Sequence, residues 1–368
     1  MDRRSVVSGM VGLGALAGAA PALSHARTPP RGYPRIATEE ACSFPEIVAE
    51  LKKVAATTGT NLDLEMVQAI YGPQAVEVGT SALAGLLDVG AGRIAAMDEA
   101  GVDVHLLSLT SPGVQMFSAD KAVALAEIAN DRMAEAIARY PDRLAGLAAV
   151  APQEPVRAAK EMERAITRLK LNGFVINSHT GNRYLDEPDF WPILEAAEAL
   201  DRPIYLHPRA PSDGMAGPFR GANLPGWGFG VETGTHVLRL LFAGIFDRFP
   251  RLRIVLGHMG EGIHFWEARL DRRYSFSSYA AGYRKLQLRP SEYMKRNIAI
   301  TTSGQESHNA LDYSIRTLGV ENVMWAIDYP YEDSRSAVQF METAPVSHEQ
   351  KAKIFGENAQ RFFHIDIS

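Results

Sequence analysis

Pro203-Ile204-Tyr205-Leu206-His207-Pro208 is a strand-length apolar run that finishes on an imidazole and is followed at once by proline. Runs of this kind recur along the chain, each followed by a segment of helical period. Strands are expected at 35–38, 102–109, 144–150, 173–177, 203–207, 253–258, 298–302 and 323–328. Parallel strands need crossover helices, and runs that are apolar throughout suit a sheet buried on both faces. Eight such units predict an α/β fold, a single (β/α)8 TIM barrel. A doubly wound open sheet is the other α/β arrangement, but no glycine-rich phosphate loop follows the first strand. Two connections exceed the usual length, residues 44–90 after strand 1 and 209–230 after strand 5. Both insertions leave the carboxyl ends of strands, where barrel enzymes carry substrate loops.

The composition agrees with a globular enzyme. Of 368 residues, 46% are apolar and 22% charged, which excludes a disordered or collagen-like chain. A net charge of −5 lacks the basic excess that draws nucleic acid, so a small molecule is the expected partner. The single cysteine, Cys42, has no partner within the chain for a disulfide and reads as a packed thiol, not a nucleophile.

Residues 1–26 read as an address. Arg3-Arg4 precede a Gly/Ala-rich apolar run from Val6 to Ala20, and Ser24 and Ala26 supply the small residues of a cleavage point after Ala26. This is the twin-arginine pattern, which directs a folded protein across a bacterial membrane, so the expected location is the periplasm. Residues 27–368 then form the one domain. No other run approaches a membrane span, and the mature form is not expected to hold to a membrane.

The chemistry is expected at the strand ends. Glu39-Glu40 follow strand 1, His207 ends strand 5, His258 ends strand 6 and Asp328 ends strand 8. In a barrel these ends share one mouth, so residues nearly 300 apart in sequence converge on one metal ion. One strand-end histidine alone would more simply be a packing residue. Two of them, with Asp328 before Tyr329-Pro330-Tyr331, form a metal and acid-base set.

The segments Arg35–Ala41, Ile204–Pro208, Val255–Glu261 and Ala326–Tyr331 resemble the amidohydrolase-superfamily decarboxylases. The branch they favour is that of the 5-carboxyvanillate decarboxylases, with the γ-resorcylate and aminocarboxymuconate-semialdehyde decarboxylases more distant. The likeness runs over residues 33–366. It implies a barrel of the metal-dependent hydrolase type in which Glu39, His207 and Asp328 bind one divalent metal and His258, supported by Glu261, pairs with Asp328. It also implies that Arg269 meets the anionic end of the substrate, with Arg93 and Tyr331 as further substrate contacts. His179 is expected on the pocket wall. Many members read Glu-x-His after strand 1, whereas Ala41 stands at the third position here. Two carboxylates and one imidazole make an oxygen-rich set, so manganese is expected in preference to zinc, with no organic cofactor.

The activity implied is non-oxidative decarboxylation of a hydroxybenzoate, with Asp328 giving a proton to the ring carbon that bears the carboxylate. A hydrolase of a lactone, amide or ester is the second reading, set apart by the His-x-His that hydrolytic relatives carry after strand 1. A periplasmic binding protein is the third, and the chain lacks its two-lobed pattern. A homodimer or tetramer is expected from the resemblance.

Overall fold

The computed structural model describes residues 32–367, apart from 74, 76, 220–223 and 278–283. The leader and its cleavage point lie outside the described residues. Eight parallel strands pair in chain order: β1 (Ile36–Cys42), β2 (Val104–Leu109), β3 (Leu144–Ala149), β4 (Gly173–Asn177), β5 (Ile204–His207), β6 (Ile254–Leu256), β7 (Ile298–Thr301) and β8 (Val323–Met324). Between β8 and β1 the ring is drawn together by single bonds. Thr38 N–H donates to the Trp325 carbonyl at 3.2 Å, and Ala41 N–H to that of Tyr329 at 2.8 Å. The expected (β/α)8 barrel is present, nearly closed.

The two-residue side-chain period of a strand divides the core into two layers. Ile36, Val104, Leu106, Leu147, Val175, Val255, Ala299 and Met324 pack together inside the barrel. Their neighbours in sequence, among them Ala37, Leu107, Ala148, Ile176, Leu206, Leu256 and Ile300, pack outward against the helices. Phe362, Phe363 and Ile365 join the inner layer, and Asn172 just before β4 donates to the Phe363 carbonyl at 3.1 Å. The chain's end therefore plugs the amino ends of the strands. Each buried large apolar side chain contributes about 1.5–3 kcal/mol, and this filling leaves the carboxyl ends as the place for polar groups.

Strand limits differ from expectation at two edges. β1 continues to Cys42, so Glu39 and Glu40 lie inside the strand rather than after it. Its register against β2 shifts between Ala37 and Glu40, a bulge that re-aims the side chains there. β8 is shorter than its apolar run. The ladder stops at Met324, and Asp328 lies four residues further on with φ of 79°.

The insertion after strand 1 is helical: α1 (Pro45–Ala55), α2 (Leu62–Tyr71) and α3 (Glu77–Leu87) precede the first crossover helix α4 (Ala91–Ala100). Asn61 caps α2, accepting from Asp63 N–H at 2.9 Å. Both oxygens of buried Asp63 accept from the guanidinium of Arg209, which follows β5. Asn61 also donates to Asp213 at 3.0 Å. The two long connections are thus clasped to each other over the mouth by a buried bidentate pair.

Candidate active site

Glu39 stands at the centre of the barrel mouth, fully enclosed. One carboxylate oxygen, Oε2, accepts from three hydroxyls, those of Tyr205, Ser303 and Thr301, the last at 3.1 Å. The other oxygen, Oε1, is buried with no hydrogen-bond partner among the described residues. It faces His207 Nε2 at 3.4 Å and His258 Nε2 at 3.8 Å. Gly257 leaves room for this carboxylate, since a Cβ there would come within 2.6 Å of Oε2.

Each imidazole is oriented by its other nitrogen. His207 Nδ1 meets the Pro208 carbonyl at 2.8 Å, and His258 Nδ1 meets Glu261 Oε1 at 2.9 Å. Both rings therefore turn Nε2 toward Glu39, the arrangement in which a second partner fixes the tautomer of a ligating histidine. His258 Nε2 also lies 3.8 Å from Asp328 Oδ2. Ligand atoms of Glu39, His258 and Asp328 lie within 4.8 Å of one another. A buried carboxylate oxygen without a donor, ringed by two imidazoles and a second carboxylate, is a donor set that fits a divalent cation.

The electrostatics divide the two histidines. Burial, working against the charge on Glu39, holds His207 below the ordinary histidine value. Burial opposes protonation of His258 as well, but the carboxylates of Glu261, Glu39 and nearby Asp328 outweigh it and raise that ring well above the usual range. Burial also resists ionisation of Glu39, yet His258, His207 and the Ser303 and Tyr205 hydroxyls keep it below the usual value. Asp328 is pushed up to about 7 by burial and the nearby Glu39, with His258 pulling the other way. An acid poised near neutrality beside a cationic ring suits proton delivery.

The remaining expected residues separate. The Tyr331 hydroxyl pairs with Thr110 Oγ1 at 2.7 Å, and Tyr331 N–H donates to the Asp328 carbonyl at 2.8 Å. His179 is buried beside the Asp63–Arg209 clasp. Its Nε2 meets the Ala210 carbonyl at 3.1 Å, and burial holds the ring down to about 4. Arg93 is set apart from the group: it is fully buried on α4, and its guanidinium donates to the Asp88, Ala41 and Gly85 carbonyls at 2.7, 2.7 and 3.0 Å. It braces the backbone of β1 and lies over the Tyr329 ring, while its Nη1 has no hydrogen-bond partner among the described residues. Arg269 is exposed on the helix Glu267–Ser277. Cys42 is a packed thiol, pushed up to about 12 by burial.

The hydroxyl cage of Tyr205, Thr301 and Ser303 was not legible in the sequence. Tyr205 stands two residues before His207, on the same face of β5, and Thr301 and Ser303 are spaced by two at the carboxyl end of β7. That spacing of polar groups at a strand's carboxyl end is the signal that would have found them.

A second polar cluster supports the wall. Ser178 Oγ donates to Glu232 at 3.1 Å and contacts His236 Nδ1 at 3.2 Å, while His236 Nε2 accepts from Leu185 N–H at 3.0 Å. Burial, helped by His179 and Arg239, holds His236 down to about 3, below its unfolded value near 6.5. The sign follows: its contribution to stability is present above pH 6.5 and is lost as pH falls toward 3. Between pH 7 and pH 5 this one group costs about 2 kcal/mol. Urea unfolding of His236→Gln should therefore show a shallower loss of stability over that interval than wild type. Equal slopes would remove His236 from the account.

Comparison with known proteins accords with this geometry. Residues 88–365 match the amidohydrolase family. The chain is 36% identical over 291 residues to the γ-resorcylate decarboxylase of Polaromonas sp., covering 76% of this chain and 89% of that protein. Among solved structures, 5-carboxyvanillate decarboxylase from Sphingomonas paucimobilis superposes with a TM-score of 0.89 at 51% identity, covering 91% of this chain and all of that one. The 5-carboxyvanillate decarboxylase of Novosphingobium aromaticivorans, complexed with manganese and 4-hydroxy-3-methoxy-5-nitrobenzoic acid, superposes at 0.87 with 40% identity, covering 91% and 97%. With the barrel, the mouth-centred carboxylate and the match over most of its length taken together, this chain belongs to the amidohydrolase family.

Proposed function

We propose that this protein is a metal-dependent carboxy-lyase that removes the carboxylate of a hydroxybenzoate of the 5-carboxyvanillate kind. One observation carries the reading: Glu39 Oε1, buried and without a donor, opens onto His207, His258 and Asp328. Glu39, His207 and Asp328 would hold the ion, His207 because burial keeps it neutral. The oxygen-rich set favours manganese over zinc, and manganese is bound in relatives of both the 5-carboxyvanillate and the dihydroxybenzoate kind. When bound, such an ion holds phenolic and carboxylate oxygens and stabilises developing negative charge.

The chain's own residues supply the proton. Asp328 gives its proton to the ring carbon that bears the carboxylate, the C–C bond breaks as CO2 departs, and the bonding pair restores the aromatic ring. Asp328 is left as a carboxylate beside His258, whose charge Glu261 sustains. No electron is gained or lost overall, so the reaction calls for no redox cofactor. Tyr331, with Thr110, and His179 are assigned as further substrate contacts, and Arg269 is assigned to the anionic end of the substrate.

The test is turnover by manganese-reconstituted protein with 5-carboxyvanillate and related hydroxybenzoates, following CO2 and ring absorbance. Chelator-sensitive CO2 release is expected. Hydrolysis of lactones or esters without any CO2 would overturn the reading in favour of a hydrolase.

Two further assignments go with it. Exposed Phe265 and Trp266, whose rings meet edge-on just before the helix Glu267–Ser277, support a homo-oligomer, which is tested by light scattering. The Arg3-Arg4 leader supports periplasmic export, tested by cell fractionation.

A further inference from the structure

Glu40 points away from the cage that holds Glu39, and its carboxylate is fully buried. Oε1 accepts from Ile327 N–H and Oε2 from Tyr329 N–H, each at 3.0 Å. These are the two main-chain donors that flank Asp328. Asp328 itself has φ of 79°, in the left-handed region that a non-glycine residue adopts when its surroundings impose it. The β8 ladder has ended at Met324, so no regular strand pairing holds this turn. What holds it is the Glu40 side chain, the Tyr329 carbonyl received from Ala41 N–H, and the Asp328 carbonyl that accepts from Tyr331 and Glu332 N–H at 2.8 and 3.1 Å.

We propose that Glu40 is a positioning residue: its two oxygens grip the amides on either side of Asp328 and fix the direction in which that acid presents its proton. The proposal rests on the reading of Asp328 as proton donor. The planar carboxyl group offers two oxygens, and each accepts from one of the amides two residues apart across the turn. The amide of glutamine offers one acceptor and sets an NH2 against the other N–H, and aspartate is one methylene too short to serve both. Either change frees one side of the turn. Proton transfer depends steeply on donor placement, and a displacement of about 1 Å costs on the order of 100-fold in rate.

The variants to make are Glu40→Gln and Glu40→Asp in full-length, manganese-loaded enzyme. For both, kcat is expected to fall about 10- to 100-fold, with KM changed less than about threefold and the manganese stoichiometry unaltered. The solvent deuterium isotope effect on kcat should rise, because transfer of the proton becomes the slower step. A residue that only kept the fold intact would lower the active fraction and leave that isotope effect unchanged. Activity within threefold of wild type in both variants, or a fall in kcat with an unchanged isotope effect, would overturn the proposal.

A crystal structure of whichever variant folds supplies a readout that does not need turnover. The turn at 327–329 is expected to relax and Asp328 to leave its left-handed conformation. If Asp328 kept that conformation and its 3.8 Å approach to His258, the proposal would fall even with an altered rate. Absence of CO2 release by the wild-type enzyme from every hydroxybenzoate would instead overturn the assigned reaction, and the crystallographic result would still decide the role of Glu40.

Discussion

Asp328→Asn is expected to keep its manganese and lose turnover, with kcat down about 10³- to 10⁴-fold. Asparagine preserves the shape of the side chain and one oxygen that can still face the ion, so metal content measured on purified variant should stay near that of wild type. What it lacks is a proton that can be transferred. In the native site burial pushes Asp328 up to about 7, and the flanking His258 and Glu39 pull in opposite directions, so near neutrality the carboxyl is balanced between donor and acceptor forms. An amide N–H has no such balance. Binding of a non-reactive nitro analogue of the substrate separates the possibilities: affinity within about tenfold of wild type, with no CO2 released, assigns Asp328 to the proton. If metal and analogue binding vanish together with activity, Asp328 serves chiefly as a ligand. Retention of more than a tenth of wild-type kcat at full metal occupancy would reject it as the acid.

The sequence announces the scaffold more plainly than the site it carries. All eight strands are visible as apolar runs because a sheet buried on both faces needs apolar residues at both phases of its two-residue period, as Leu106 and Leu107 show. The errors fall where that rule is broken for function. Glu39 and Glu40 interrupt the apolar run of β1, so the strand seems to stop at Thr38. In the fold it continues, because hydroxyls satisfy one oxygen of Glu39 and backbone amides both oxygens of Glu40. At β8 the opposite happens: Trp325, Ala326 and Ile327 look like strand and are buried, but their backbone has already left the ladder to form the turn that carries Asp328. Glu39, His207, His258 and Asp328 do converge as strand-end logic requires. The surroundings of Arg93 are hidden for a different reason. A guanidinium looks the same in sequence whatever it faces, and only the packing of α4 against β1 sets three main-chain carbonyls around it.

Glu39→Gln is the sharper test of the metal assignment, because it keeps the hydroxyl cage and removes only the anionic oxygen. In metal-free wild type, Glu39 Oε1 has no donor among the described residues, yet the two histidines and the hydroxyls keep the carboxyl below its usual value and so favour its charge in the folded state. Glutamine removes that charge, can keep its oxygen toward the Tyr205, Thr301 and Ser303 hydroxyls, and sets its NH2 toward His207 Nε2, which is neutral and able to accept. Metal-free Glu39→Gln is therefore expected to unfold at a temperature somewhat below that of metal-free wild type. Added manganese should widen the gap. A ligand present at a thousandfold excess over its Kd stabilises the folded state by about 4 kcal/mol, and wild type should gain on that scale while the variant, lacking the anionic oxygen, gains little. Glu39→Ala separates the cage from the charge. It takes away the acceptor that the Tyr205, Thr301 and Ser303 hydroxyls share, leaving them only one another, at a cost of about 1 kcal/mol or more in all, and should be the least stable of the three without metal. The outcome that would sink the assignment is a manganese-induced rise in unfolding temperature as large in Glu39→Gln as in wild type, since the ion would then be held without the oxygen that the fold leaves open for it.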